Sequence, residues 1–120
     1  MKEIYKPVIL NYQHKSLAEG RWAQMTLAEQ MLNIGSEVSR ASKWKNKGNQ
    51  EMCTKATYRA MELVNLTIDA QKGRHSIKEF TILYEVLCDF FLGDNQYHSD
   101  SESLQRYFDV FARRRQDVDK

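Results

Sequence analysis

The chemistry that this sequence could support is concentrated in one stretch, EVLCDFFLGDNQYHSDSESL, residues 85–104. Glu85 and Asp89 are four residues apart, which places both carboxylates on the same face of a helix. Two such carboxylates could bind a divalent metal ion, as in a metal- or nucleotide-handling enzyme. Four-helix proteins with two metal ions combine glutamates with Glu-x-x-His motifs, and this chain contains no Glu-x-x-His. We therefore expect no metal and no cofactor here, and we keep a metal- or nucleotide-handling enzyme as an alternative function.

A second group of charged side chains falls on the first two predicted helices. Glu37 and Arg40 are three residues apart and can pair on the surface of one helix. If Glu37 faces inward instead, it can meet Arg59 or Glu62 of the next helix in a buried polar layer. We favour the surface pair. The candidate polar cluster of the chain comprises Glu37, Arg40, Arg59, Glu62, Glu85 and Asp89.

A basic stretch with an aromatic residue at its centre forms a candidate interaction surface. It consists of Arg40, Lys43, Trp44, Lys45 and Lys47. Proteins that bind nucleic acids combine bases with aromatic rings on which nucleobases stack. However, the bases lie near the end of a predicted helix, where positive charge is favoured in any case. The net charge of the chain is only +2, so nucleic-acid binding is an alternative that we do not favour.

Charge is unevenly distributed along the chain. Residues 40–59, the basic region, contain six bases and one acid, a net charge of +5. Residues 85–109, the acidic region, contain six acids and one base, a net charge of −5. Such polarity favours association between oppositely charged faces, and we expect a homodimer. Aromatic residues predicted to be exposed favour the same conclusion, because Trp and Tyr are enriched at interfaces: Trp22, Trp44 and Tyr97.

Helix start and stop signals divide the chain into four helices. A Ser or Thr followed three residues later by Glu forms a capping box, and this occurs at Ser16/Glu19, Thr26/Glu29, Ser76/Glu79 and Ser99/Glu102. Asn49 is a further N-cap, and Gly48, Gly73 and Gly93 can end helices in the left-handed conformation. These signals predict helices over about 26–47, 50–72, 77–92 and 100–114, each with apolar residues at helical spacing.

The predicted fold is all-α, an up-and-down four-helix bundle with an extended N-terminal arm. The arm covers residues 1–25 and includes a possible short helix, the bundle covers 26–115, and 116–120 form a polar tail. The third helix is apolar over most of its circumference and is predicted to be the most buried. Its core positions are Phe80, Leu83, Leu87 and Phe90, which should face Ile34, Val38, Leu63 and Phe108.

The two cysteines, Cys53 and Cys88, are too few for a disulfide framework or a four-ligand zinc site. We expect both to be buried, free thiols in a reducing cytoplasm. The first ten residues do not read as a signal peptide, because their apolar run stops at Leu10. No apolar stretch of the sequence approaches the length that spans a membrane, so we expect no membrane partner.

Several motifs resemble a group of small prokaryotic all-α proteins of unknown function. They include Thr26–Met31, Asn33–Val38, Arg40-Ala41, Trp44 and Lys47–Asn49, with ELVNLTID and EVLCDFFLGDNQY further along. The resemblance begins at about Trp22 and implies a helical bundle in a prokaryotic cytoplasm, but it carries no activity and no catalytic residue. Together these observations predict a non-enzymatic module for protein–protein interaction.

Overall fold

The computed structural model describes residues 20–71 and 77–119, with the side chains of the last helix described to residue 110 and at residue 113. In these ranges the backbone forms only helices and loops, which confirms the all-α class. A short 3-10 turn at Trp22–Gln24 precedes four α-helices. The helices are α1 at Leu27–Asn46, α2 at Gln50–Ala70, α3 at Ile77–Leu92 and α4 at Ser101–Asp119.

The starts of α1 and α2 are confirmed. The Glu29 amide donates to Thr26 Oγ1 at 3.1 Å, and the Thr26 amide donates to Glu29 Oε1 at 2.8 Å, which completes the capping box. At α2, Asn49 Oδ1 accepts a hydrogen bond from the Met52 amide at 3.0 Å. Gly48 precedes this cap with a φ of +77°, a conformation that glycine adopts without steric cost. Local sequence alone is therefore sufficient to turn the chain between α1 and α2.

The two ends of α4 differ from the prediction. Its N-cap is Asp100, whose Oδ1 accepts from the Ser103 amide at 2.7 Å, and not Ser99 with Glu102. Ser99 is engaged by Asn95 instead. At the other end the helix continues to Asp119, so the residues predicted as a polar tail from 116 are helical up to that point. No Gly or Pro in this segment stops the helix.

Gly93 follows α3 as predicted but is not among the residues with positive φ. The left-handed positions of this loop are Asn95, with a φ of 56°, and His98, with a φ of 57°. Asparagine tolerates this conformation because its short polar side chain bonds nearby backbone groups. The capping boxes predicted at Ser16 and Ser76, the stop at Gly73 and residues 1–19 of the predicted arm lie outside the described residues.

The most extensive packing among the described helices is made by α1, which packs against both α2 and α4, while α2 packs against α3. The α1–α4 contact is closest at Gly35. A Cβ atom at this position would lie 3.0 Å from Phe108 Cβ, so the absence of a side chain lets the two helices approach. This close approach places α1 directly against α4 at Gly35.

The predicted core of α3 is confirmed. Phe80, Leu83, Leu87 and Phe90 are all buried, and Leu87 has no exposed surface. They belong to one apolar cluster that also contains their predicted neighbours, Ile34, Val38, Leu63 and Phe108. However, α3 is not buried on every side, because the side chain of Ile82 is 43% exposed. The apolar circumference of α3 therefore exceeds what the other described helices cover.

Trp22 is buried, so the prediction that it is exposed was wrong. It keeps only 1% of its surface, and its indole Nε1 donates to Thr67 Oγ1 on α2 at 2.9 Å. The Trp22 carbonyl accepts a hydrogen bond from Gln30 Nε2 at 2.8 Å. The end of the predicted arm thus packs against α1 and α2 through these hydrogen bonds and through the apolar cluster that contains Trp22. Among the described helices, none combines the length and apolar character needed to cross a membrane.

Candidate functional site

Glu37 links α1 to α2 through Arg59, and it also pairs with Arg40 on its own helix. Its Oε1 accepts a hydrogen bond from Arg40 Nη1 at 2.8 Å and one from Arg59 Nε at 3.2 Å. The side chains of Glu37 and Arg59 are 12% and 23% exposed, against 51% for Arg40. The pair that we favoured on the surface of α1 exists, and the inward contact with Arg59 exists beside it. A carboxylate shared between two guanidinium groups is a strong helix-to-helix link.

The remaining carboxylates of the predicted polar cluster are Glu62, Glu85 and Asp89. Glu62 is buried on α2. The polar contacts of Glu85 and Asp89 are made to the loop after α3 and not to Glu37, Arg40 or Arg59. In residues 20–71 and 77–119, no group of three His, Cys, Asp or Glu side chains is arranged to hold a metal ion. The geometry therefore groups Glu37 with Arg40 and Arg59, and Glu85 and Asp89 with the loop after α3.

Asp89 and Glu85 anchor the loop between α3 and α4. The two carboxylate oxygens of Asp89 accept hydrogen bonds from the backbone amides of Gln96 at 2.7 Å and Tyr97 at 3.0 Å. The Tyr97 hydroxyl donates to Glu85 Oε1 at 3.3 Å. The negative charge of Glu85 is the largest cause that raises the pKa of Tyr97. The spacing of four residues places both carboxylates at this loop, where they accept hydrogen bonds from its donors.

Asn95 closes the same loop from within. Its Nδ2 donates to the Ser99 carbonyl at 3.0 Å, and its Oδ1 accepts from the Ser99 amide at 2.8 Å. The Asn95 amide in turn donates to the Asp89 carbonyl at 3.1 Å. The polar residues of the stretch 85–104 thus bond mainly to one another and to the backbone, which is the role of a structured turn.

Both cysteines are free thiols and buried, as predicted. The Cys88 Sγ lies 3.7 Å from Met61 Sδ. Burial, followed by the negative charge of Glu85, raises the pKa of the Cys88 thiol to about 11. A thiol with this pKa is almost entirely protonated at neutral pH and is therefore a poor nucleophile.

We expect the thiols to react slowly in the folded protein and rapidly after unfolding. In a titration with a disulfide reagent at pH 8, burial and the high pKa of Cys88 should delay its modification until denaturant is added. The free energy of unfolding should also fall as the pH rises from about 9 towards 11, because the unfolded chain releases this proton at a lower pH than the folded chain. A Cys88→Ala variant is the control. The interpretation is wrong if Cys88 reacts as fast in the native protein as in denaturant.

Most residues of the candidate interaction surface border one cleft on α1. Trp44 is half-buried at its centre, and Lys47 Nζ lies 5.3 Å from the centroid of its ring. Lys45 points to α3, with Nζ 5.1 Å from the centroid of the Phe90 ring. Arg40, Lys43, Trp44 and Lys47 all border the cleft, whose volume is about 340 Å³. The structure therefore places four of the five predicted residues around one depression and directs Lys45 away from it.

A larger groove lies between α3 and α4 and was not predicted. It has a volume of about 470 Å³ and is lined by Lys78, Glu79, Ile82, Leu83, Val86, Leu104 and Tyr107. The Tyr107 hydroxyl donates to Glu79 Oε2 at 2.8 Å, which links the two helices. Burial and this hydrogen bond raise the pKa of Tyr107. The signal in the sequence that could have revealed this groove is the apolar character of α3 over most of its circumference. Apolar residues of α3 line the groove.

Comparison with known proteins does not assign this arrangement to a family. Neither a protein-family model, nor a curated protein, nor a solved structure matches the chain.

Proposed function

We propose that this chain is a non-enzymatic module for protein–protein interaction that associates with a second copy of itself. The observation that carries the proposal is the separation of opposite charges along the chain. In the described parts of the chain, no ion pair joins the basic region to the acidic region. Arg40 and Arg59 pair with Glu37, and Lys55 pairs with Glu51. Asp94 and Glu102 of the acidic region are exposed, and they can meet the bases of a second molecule.

Exposed aromatic rings support the same proposal. Tyr97 is 53% exposed and lies in the acidic region, and Trp44 is half-buried in the basic region. Aromatic residues are over-represented at the centre of protein interfaces. A two-fold axis would place the basic region of each copy against the acidic region of the other, so that both contacts form at once.

The proposed architecture is an up-and-down four-helix bundle in a prokaryotic cytoplasm. Its direction is supported by the short connection between α1 and α2, which favours antiparallel neighbours. The two free thiols support a reducing compartment, and the prokaryotic setting rests on the resemblance described above.

Sedimentation equilibrium tests the dimer. At tens of micromolar and about 0.1 M salt, where charges are screened beyond about 10 Å, we expect twice the 14.1 kDa of the chain. Raising the salt to about 1 M should weaken the dimer, because the Debye length falls to about 3 Å. Lys43→Glu should weaken it roughly fivefold, the range of a surface ion pair.

Arg21→Glu is the matched control, because it makes the same charge change at an exposed residue outside both charged regions. A mass of 14.1 kDa at these concentrations would contradict self-association. A dimer that responds to neither salt nor Lys43→Glu would remove the electrostatic reason for it.

Nucleic-acid binding is the second candidate function, and the cleft around Trp44 is the observation that favours it. Three bases at this cleft surround an accessible indole ring, the arrangement used to bind single strands. Adding a thymidine oligonucleotide to the sedimentation cells tests this candidate. Co-sedimentation that declines steeply with salt would favour it over the interaction module.

A further inference from the structure

The cleft around Trp44 differs from the groove between α3 and α4 in the chemistry of its lining. That groove is lined mainly by apolar residues, with one base and one acid. Among the described residues that line the cleft around Trp44, three are bases, two are serines and none is acidic. Such a lining disfavours an apolar molecule, which would leave its polar groups without partners, and it repels a metal cation. An anion is therefore the class of ligand that matches it.

The bases of this cleft repeat along one face of α1. Arg40, Lys43 and Lys47 are spaced three and four residues apart, so their side chains are neighbours on the surface of the helix. Within residues 20–71 and 77–119, neither Lys43 nor Lys47 takes part in an ion pair. Like charges at this spacing repel one another. A bound anion would relieve the repulsion, which a neutral ligand cannot do.

Glu37 orients the third base and leaves it able to bind. Arg40 Nη1 donates to Glu37 Oε1 at 2.8 Å, and the Arg40 side chain is 51% exposed. A guanidinium group has five N–H donors, so this hydrogen bond leaves most of them for a ligand. Phosphate oxygens accept strong hydrogen bonds from guanidinium and ammonium groups alike. The three bases together thus match a phosphate group.

The ends of two helices meet at this cleft and offset each other. Lys43 and Lys47 lie at the C-terminal end of α1, where the helix dipole places about half a negative charge. Met52, which also lines the cleft, belongs to the first turn of α2, where the dipole contributes about half a positive charge. The three full charges of the bases therefore determine the sign of the electrostatic potential in the cleft.

Trp44 adds a flat apolar surface to these charges. Its ring packs partly against the core, and Lys47 Nζ lies 5.3 Å from its centroid. A cation–π contact at an exposed site is weak, so the ammonium group can turn to a phosphate and leave the ring to a planar group. A volume of about 340 Å³ is at the lower end of the range for small-molecule sites. Proteins that bind single strands stack successive bases along a longer groove, so one ring favours one nucleotide.

We propose that the cleft around Trp44 binds a nucleoside phosphate. Arg40, Lys43 and Lys47 bind the phosphate oxygens, and the nucleobase stacks on the Trp44 ring after Lys47 has turned to the phosphate. This inference goes beyond the proposed function, because it assigns a ligand to the cleft, is independent of self-association and includes no chemical reaction.

Isothermal titration calorimetry with ADP, inorganic diphosphate and adenosine tests the inference. ADP should bind most tightly, diphosphate about fivefold more weakly because it lacks the ring, and adenosine most weakly because it lacks the charge. Lys47→Ala should raise the dissociation constants of ADP and diphosphate about tenfold, the loss of one charge-assisted hydrogen bond. Trp44→Leu should weaken the binding of ADP to the level of diphosphate and leave the binding of diphosphate unchanged.

Lys45→Ala is the matched control. It removes the same charge from an exposed position of the same helix, but Lys45 points to Phe90 of α3 and does not line the cleft. This variant should bind the three compounds as the parent chain does. Circular dichroism shows whether each variant is folded, and the two lysine variants, both at exposed positions, decide the test if Trp44→Leu is not.

The inference is overturned if neither ADP nor diphosphate binds at millimolar concentration, or if ADP binds no more tightly than diphosphate. It is also overturned if Lys45→Ala weakens binding as much as Lys47→Ala, because binding then depends on the overall charge and not on the cleft. Much tighter binding of a thymidine oligonucleotide than of ADP would replace the single nucleotide by a strand. Sedimentation of the parent chain without these compounds tests the proposed function separately.

Discussion

Replacing Leu87 by alanine is expected to lower the free energy of unfolding by about 2–5 kcal/mol, the range for a fully buried leucine. Leu87 has no exposed surface and lies in the cluster that joins α3 to the rest of the core. The loss includes the transfer free energy of the removed atoms and the cost of the cavity that remains. Small domains have a total stability of about 5–15 kcal/mol, so this single change should remove a large part of it.

Urea denaturation followed by circular dichroism measures the effect of Leu87→Ala. Leu92→Ala is the control on the same helix, because the Leu92 side chain is 41% exposed, and surface substitutions usually change stability by less than about 0.5 kcal/mol. Equal losses in both variants would show that the stripe of α3 assigned to the core is wrong.

Replacing Trp22 by alanine should cost about 3–5 kcal/mol, the range for a buried aromatic residue. This residue is almost entirely buried and is held by the hydrogen bond from its indole Nε1 to Thr67. The variant also leaves the Thr67 hydroxyl without this donor inside the protein. Thermal and urea unfolding should both show the loss, since the turn at Trp22–Gln24 packs on α2.

A second substitution separates the hydrogen bond of Trp22 from its packing. Thr67→Val keeps the shape of the side chain but removes the acceptor, and should cost about 1–3 kcal/mol because the indole N–H is then buried without a partner. If Trp22→Ala costs less than Thr67→Val, the ring contributes little by packing, and the segment around residue 22 is only loosely attached to the bundle.

The local sequence determined where most of the described helices begin and end. The capping box at Thr26 and the N-cap at Asn49 operate within four residues, so their hydrogen bonds need no tertiary contact. The stripe of Phe80, Leu83, Leu87 and Phe90 also follows from helical spacing alone. These features were predictable because they depend on neighbours along the chain.

The hydrogen-bond partners of the individual polar residues depend on tertiary contacts. The spacing of Glu85 and Asp89 puts them on one face, but only the fold directs that face to the loop after α3. There two backbone amides donate to Asp89 and the Tyr97 hydroxyl donates to Glu85. Glu37 could pair along α1 or across to α2 with equal chemical ease. In the fold, α1 and α2 lie close enough for one oxygen of Glu37, Oε1, to accept hydrogen bonds from both Arg40 and Arg59.

Burial of the large apolar residues was decided in the same way. Trp22 precedes α1 and carries no periodic pattern, so its sequence context suggested exposure, whereas Thr67, 45 positions later, supplies the partner that buries it. Ile82 belongs to a largely apolar helix, so the sequence alone predicts that its side chain is buried. It remains exposed because α3 packs chiefly against α2 and meets α4 only across the groove. The helical periodicity of the sequence indicates which apolar residues are suited to the core, whereas the packing of the helices determines which of them are buried.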